Sequence, residues 1–232
     1  MGGKFRQIHK KDRAGMALMD KKALNTLTYG LFVLTAKEGE KDNGCIINTA
    51  QMLTSDPTRV AIFVNQSNYT NGMIKRTGVF NVSVLERGTP FAVFKHFGFS
   101  SGKDVDKFSE RVYPRSENGL CYIYENSNAY LSCKVVGSHD YGTHTIFIGE
   151  VTEGKVLSDK KSLSYEQYLT EVKPQRKAEN KTEKGAVDGK AAEKPAEKWV
   201  CKVCGYVHEG PLPDDFICPW CKHPASDFER VS

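Results

Sequence analysis

Four cysteines toward the end of this chain are spaced to hold a single ion. The stretch "CKVCGYVHEGPLPDDFICPWCK", residues 201–222, contains two Cys-x-x-Cys pairs with thirteen residues between them. Each pair suits a tight knuckle that aims two sulfurs at one point, and two knuckles complete a tetrahedral shell of four thiolates. Cys201, Cys204, Cys218 and Cys221 are therefore read as metal ligands. Disulfides are the competing use of such cysteines, and they belong to oxidising compartments. The thiolates themselves leave zinc and iron both open, since either metal takes an all-sulfur shell. The choice decides function: zinc has no accessible redox change and would brace a fold, whereas iron would carry one electron.

The module that presents these thiolates is small, and most of the 232-residue chain lies before it. Between Lys173 and Lys198 the sequence "KPQRKAENKTEKGAVDGKAAEKPAEK" has no aromatic residue and one β-branched aliphatic, Val187. Such a segment cannot bury enough apolar surface to offset its ordering entropy, so it reads as a flexible charged tether with an r.m.s. span of roughly 25 to 30 Å. Upstream, short β-rich runs alternate with turn signals: "YGLFVLTAK", "GCIINTA", "RVAIFVN", "VFNVSVLE", "CYIYENSNAYLSCKVVGSHDY" and "HTIFIGEVTEGKVL". They predict a largely antiparallel β domain, a barrel. Helices are expected at "TNGMIKRTG", ending at Gly78, around "FAVFKHFG" and at "SYEQYLTEV". Neither the glycine fingerprint of a Rossmann unit nor a P-loop is present, and no internal repeat is seen. The expected organisation is a basic leader over residues 1–19, a β domain over 20–172, a linker over 173–198 and the metal module over 199–232.

Composition narrows the class of partner. The net charge of +5 is concentrated at the ends of the β domain. Residues 1–22 carry seven Lys or Arg against two acids, and residues 173–198 carry eight against five, whereas residues 23–172 and 199–232 are net negative. A nucleic-acid face should be basic on a folded element, so no nucleic-acid partner is expected. No apolar run approaches the roughly 20 residues of a membrane span, and the start lacks the apolar core of a secretory signal, which places the chain in the cytoplasm. Cys45, Cys121 and Cys133 stand singly among apolar residues, as reduced buried thiols do.

The surroundings of the four cysteines carry a resemblance. Gly205 follows the first knuckle, Pro219 and Trp220 lie inside the second, and Tyr206 and Phe228 frame the module from Trp199 to Val231. In this it resembles rubredoxin, and its short spacing is like the compact rubredoxin domain appended to rubrerythrins. The resemblance implies one iron. An iron carrying single electrons and a reductant that gives up a hydride pair, NAD(P)H, need a two-to-one-electron converter between them, and flavin is one.

The upstream domain meets that requirement by resemblance. "LNTLTYGLFVLTA", "NGCIINTAQMLTSDPTRVAIFVNQSNYTNGMIKRTGVFNVSVL" and "GTHTIFIGEV", in this order, are similar to the flavin reductase-like, FMN-binding split-barrel family. The likeness implies a split β-barrel that binds FMN, a homodimer, and, with the appended module, electron transfer from NAD(P)H to a partner such as a flavodiiron protein that reduces nitric oxide or dioxygen. It also implies site residues. Asn48, Thr49, Gln51, Met52 (through its backbone) and Thr54 would line the isoalloxazine edge, although before Pro57 they also suit ordinary turn chemistry. Asn65, Ser67, Asn68 and Thr70 would bind the phosphate at the start of a helix, and Tyr69 would flank the flavin or pack. His144 would face the ring where nicotinamide stacks, as a positioning residue; the acid that precedes the family's histidine is Thr143 in this chain. Lys95 is read as the partner of a surface acid. The alternative is a flavin reductase that releases reduced FMN beside a structural zinc ribbon.

Overall fold

The run Leu31-Phe32-Val33-Leu34 has no polar position, so the strand containing it must be covered on both faces. A computed structural model describes residue 23 and residues 26–174, 197–201, 207–218 and 224–230. The basic leader and nearly all of the charged linker lie outside the described residues, as do Cys204 and Cys221. Seven strands form one antiparallel sheet: β1 (Phe32–Glu38), β2 (Lys41–Ile47), β3 (Ala50–Ser55), β4 (Thr58–Asn65), β5 (Val79–Leu85), β6 (Ser127–Asp140) and β7 (His144–Val156). Their order is β2-β1-β5-β6-β7-β4-β3.

That order forces curvature. β2 and β3 occupy opposite edges of the sheet, yet only Asn48 and Thr49 join them. Two linking residues span at most about 11 Å, far less than a flat seven-stranded sheet is wide. The sheet therefore curls until its edges meet at this connection, giving the mainly β, split-barrel architecture expected from the sequence.

Curling creates an inside and an outside. Phe32, Leu34, Ile62, Val64, Phe80 and Phe147 pack within, closed by Met73 and Ile74 of helix α1 (Tyr69–Thr77). Leu31 and Val33 face the other way, into a second cluster with Leu85, Ile123 and Leu163 under Phe94 and Phe97 of helix α2 (Phe91–Gly98). α1 ends where predicted: Gly78 has φ +71° and its N–H reaches Ile74 O at 2.9 Å, the left-handed stop that glycine supplies without strain. Helix α3 (Tyr165–Gln167) is one turn, continued by a wider turn over Tyr168–Val172. The sequence reading took "AQMLTS" as a strand-to-loop segment, whereas the structure makes it β3, an exposed edge strand with a bulge between Met52 and Thr54. Lacking an inward face, it has no alternation to read.

The C-terminal module is a three-stranded sheet with β8 (Lys198–Cys201) between β10 (Phe228–Arg230) and β9 (Val207–Glu209). Among the described residues, no helix is long and apolar enough to cross a membrane.

Two consequences are measurable. A Cβ at Gly149 of β7 would lie 2.5 Å from Phe80 Cζ and 2.8 Å from Cys133 Cβ. Gly149→Ala is therefore expected to cost about 1 to 3 kcal/mol through overpacking, visible as a lower urea midpoint with unchanged slope. The second concerns pH. Cys45, Cys121 and Cys133 are buried and in no disulfide, as read. Burial pushes the Cys133 thiol up to about 12 and, as the largest cause, the Cys121 thiol to about 11, from an ordinary 9.0. Between pH 9 and 12 the unfolded chain sheds protons that the fold retains, so these thiols stabilise fully below pH 9 and lose that contribution above it. Urea titrations from pH 8.5 to 11 should show Cys133→Ala less stable at pH 8.5 yet shallower in its decline, by about 1.4 kcal/mol per pH unit.

Candidate active site and metal centre

The place where the sheet edges meet is hollow. One cavity of about 430 Å³ is lined by Cys45, Asn65, Ser67, Asn68, Tyr69 and the segment Phe97–Asp104 with Lys107. A second of about 270 Å³ shares Asn65, Asn68, Gly98 and Phe99 with it and continues to Asn48, Phe63 and His144. A third, of about 300 Å³, begins at Asn48 and runs past Thr49 and Gln51 to Ser162–Ser164. Shared walls make these three one cleft, running from the start of α1 to the edge strand β3.

The α1 end gathers short polar side chains and lysines at the start of a helix. Asn68 caps the helix, its Oδ1 accepting from Thr70 N at 3.1 Å. Asn65 Oδ1 accepts from both Ser67 N and Ser67 Oγ, at 2.9 and 2.8 Å, and Asn65 O accepts from Asn68 N at 3.0 Å, which folds the loop tightly onto the start of α1. The first turn of α1 contains no acid, so the positive end of the helix dipole is not neutralised from within the helix. Below the loop, Lys107 is 3% exposed and donates from Nζ to Gly44 O at 2.9 Å and Phe97 O at 2.8 Å. Burial lowers its pKa, and the nearby Cys45 thiol, itself raised by burial, opposes that shift. His96 Nε2 lies 2.7 Å from Lys107 O. The segment 98–107 is thus fastened to β2 through a lysine that also puts a positive charge on the cavity wall. Gly102 is required here, since a Cβ would meet Asn43 Oδ1 at 2.0 Å.

At the other end His144 starts β7, in register with Asn65 of β4. Thr143 Oγ1 lies 2.9 Å from His144 Nδ1, so a neutral hydroxyl occupies the place of the motif's carboxylate. Phe63, Phe94, Phe99, Tyr165 and Tyr168 make this part of the cleft largely aromatic.

Of the residues expected in the site, Asn48, Thr49, Gln51, Asn65, Ser67, Asn68, Tyr69 and His144 all line the cleft. Tyr69 also carries Lys41 Nζ at 4.9 Å from its ring centroid. Three are not brought there. Thr70 is fully buried, its Oγ1 accepting from Asn43 Nδ2 at 2.8 Å, so it braces the loop from behind. Met52 is 71% exposed, and Thr54 donates to Pro57 O across the β3–β4 turn. Lys95 is exposed on α2, and no carboxylate among the described residues pairs with it, contrary to expectation. The sequence reading missed Lys107, Cys45 and the aromatic pair Tyr165 and Tyr168. The polar–aromatic run "FKHFGFSSGKDVDKF" marked the neighbourhood without singling out the buried cation.

In the small module, Cys201 and Cys218 are 1% and 0% exposed, packed with Phe228 and flanked by Trp199, Leu212 and Phe216. Cys201 on β8 sits opposite Phe228 on β10. Burial of two thiols under aromatic rings is the setting that a sulfur-ligated ion requires; the other two predicted ligands, Cys204 and Cys221, lie outside the described residues.

Barrel, cleft and cysteine module together define a reductase-type flavin domain with a rubredoxin-like appendage. The model of the flavin reductase like domain matches residues 24–170 and that of the rubrerythrin, rubredoxin-like domain matches residues 199–229, and the chain belongs to the flavin reductase like family. It is 37% identical to the high molecular weight rubredoxin of Moorella thermoacetica, over 92% of this chain and 100% of that protein. It is also 36% identical to a ferric-chelate reductase (NAD(P)H) of Archaeoglobus fulgidus, over 65% of this chain and 89% of that one. Among solved structures, an NADH:FAD oxidoreductase of Streptomyces globisporus shares the fold, with TM-score 0.56 and 24% identity over 70% of this chain and 93% of that chain.

Replacing the cap tests the anion loop independently of any ligand. Asn68→Ala leaves Thr70 N–H without its acceptor and is expected to lower stability by about 1 kcal/mol, read as a shift in the urea midpoint.

Proposed function

We propose that this chain is an electron-transfer oxidoreductase that takes electrons from NAD(P)H, passes them through FMN held in the cleft to one iron held by Cys201, Cys204, Cys218 and Cys221, and delivers them to a partner protein such as a flavodiiron nitric oxide or dioxygen reductase. The observation that carries this reading is the single cleft with two chemically different ends. At the α1 end the lining consists of Asn65, Ser67 and Asn68 beside the helix N-terminus, with Lys103 and Lys107 against one acid, Asp104; this set suits a phosphate dianion. At the other end the aromatic walls and His144 suit flat rings. Bound there, a flavin would supply a ring that accepts a hydride pair and gives up electrons singly.

The residues divide the work accordingly. Asn65, Ser67 and Asn68 hold the anionic tail, and Lys107 balances its charge while keeping the closing segment in place. Asn48, Thr49 and Gln51 reach the ring edge from the β2–β3 connection. His144 positions the incoming nicotinamide, which needs no protein acid to transfer a hydride but does need alignment at near-attack distance. Met52 and Leu53, 71% and 53% exposed on the edge strand, support burial of β3 against a second copy of the chain, and with it a homodimer. The likeness to reductases and to a high molecular weight rubredoxin supports the same route.

Anaerobic addition of NADH to the purified protein reconstituted with FMN checks the whole route in one spectrum. Both the yellow flavin band and the red ferric–thiolate band should bleach, with one iron per chain by metal analysis. A red band that persists after the flavin has bleached would rule out internal transfer, and one zinc with no iron would favour a reductase that releases its reduced flavin.

A further inference from the structure

The hairpin tip that carries His144 is fastened from two sides. On one side, Gln66 N of the anion loop donates to Thr143 O at 2.9 Å, and Tyr141 N donates to His144 O at 2.8 Å. On the other, Asp140, the last residue of β6, is in register with Thr145 of β7 and accepts from its Oγ1 at 2.6 Å. Lys75, in the last turn of α1, reaches the same carboxylate with Nζ at 2.8 Å from Oδ1 and 2.9 Å from Oδ2.

Magnitudes separate what these bonds do. An exposed ion pair contributes about 0 to 1 kcal/mol, so the Lys75–Asp140 pair does little for global stability. Thr145 differs, being 0% exposed, and a buried hydroxyl deprived of its acceptor costs about 1 to 3 kcal/mol. Asp140 is therefore held in one place by the residue next to His144, and Lys75 brings the end of α1 into contact with the hairpin at that place. α1 is also the helix whose opposite end forms the anion site, so one rigid rod spans from the anion loop to the histidine tip.

We propose that Asp140 is a positioning residue, which with Lys75 and Thr145 fixes the β6–β7 tip so that the His144 ring keeps one orientation toward the cleft. The carboxylate missing at Thr143 has its counterpart across the hairpin, acting through the backbone of the tip. The inference rests on the role of His144 proposed above.

Ring resonances of the histidines in the cofactor-free protein provide a test apart from activity. In Asp140→Ala the His144 ring signals should shift and broaden, with those of His96 and His208 unchanged, and Asp140→Glu should restore them in part. In the FMN-loaded protein, the first-order rate of flavin reduction at saturating NADH should fall by about tenfold or more, up to the roughly hundredfold that a 1 Å misplacement costs, with the FMN dissociation constant within about twofold of the parent. Lys75→Met should give a smaller loss in the same direction. Placed in a His144→Ala background, Asp140→Ala should add nothing further. Unchanged His144 signals, or losses that multiply in the double variant, overturn the proposal. Absence of NADH-driven flavin reduction in the unmodified protein would instead sink the redox reading, and the ring signals would still decide whether Asp140 sets the tip.

Discussion

Everything in the larger domain follows from a two-residue connection. Asn48 and Thr49 join strands at opposite edges of a seven-stranded sheet, so the sheet cannot lie flat. Because the edges approach without pairing along their length, the barrel keeps a split, and the split is the cleft. A closed barrel of the same strands would have spent these backbone groups on a ladder. Among the described residues Thr49 O is instead reached by Phe63 N alone, at 3.3 Å, and Asn48 and Thr49 line the cavities on either side of the connection. Fold and site thus share one cause.

Much of this was legible because the strands that matter have periodic or unbroken apolar patterns. The β-rich runs "RVAIFVN" and "HTIFIGEV" between turn signals marked β4 and β7, and the unbroken run Leu31–Leu34 entering β1 has two covered faces, with a cluster on either side of it. Cys-x-x-Cys spacing needed no fold at all. What escaped the sequence reading is what depends on depth. Lys107 and Lys95 are equivalent as letters, but one is buried against two carbonyls and the other stands in solvent. Thr70 reads as one more loop donor until its partner Asn43, 27 positions earlier, is brought beside it. β3 escaped because an exposed edge strand has no buried face to imprint a period on it.

Lys107 shows how a buried charge can serve both structure and site. Its ammonium has three N–H groups; two are satisfied by Gly44 O and Phe97 O, and no carboxylate among the described residues pairs with it. An isolated buried cation is costly, and burial already draws its pKa down. Two carbonyls repay part of that cost by tying the 98–107 segment to β2. A phosphate in the adjoining cavity would repay more, since it supplies the opposite charge at short range in a partly desolvated wall. On the proposed route, an anion entering the cleft would complete the compensation of Lys107. This gives a physical reason for preferring a phosphorylated flavin over the bare ring.

The same logic bears on why two domains share one chain. On the proposed route, a cleft that discharges single electrons gains nothing from a distant acceptor unless the two meet often. A flexible tether of 26 residues would hold such an acceptor at an effective concentration of the order of millimolar, without requiring a permanent interface that would block a nicotinamide reductant from the aromatic end. Tight docking would raise the transfer rate but obstruct both the entry of the reductant and the departure of the electron to a partner. A tethered rather than docked module would satisfy both demands, and the composition of residues 173–198, rich in Lys, Glu and Ala with Gly185, Gly189 and Pro195 interrupting it, is of the kind that tethers without packing.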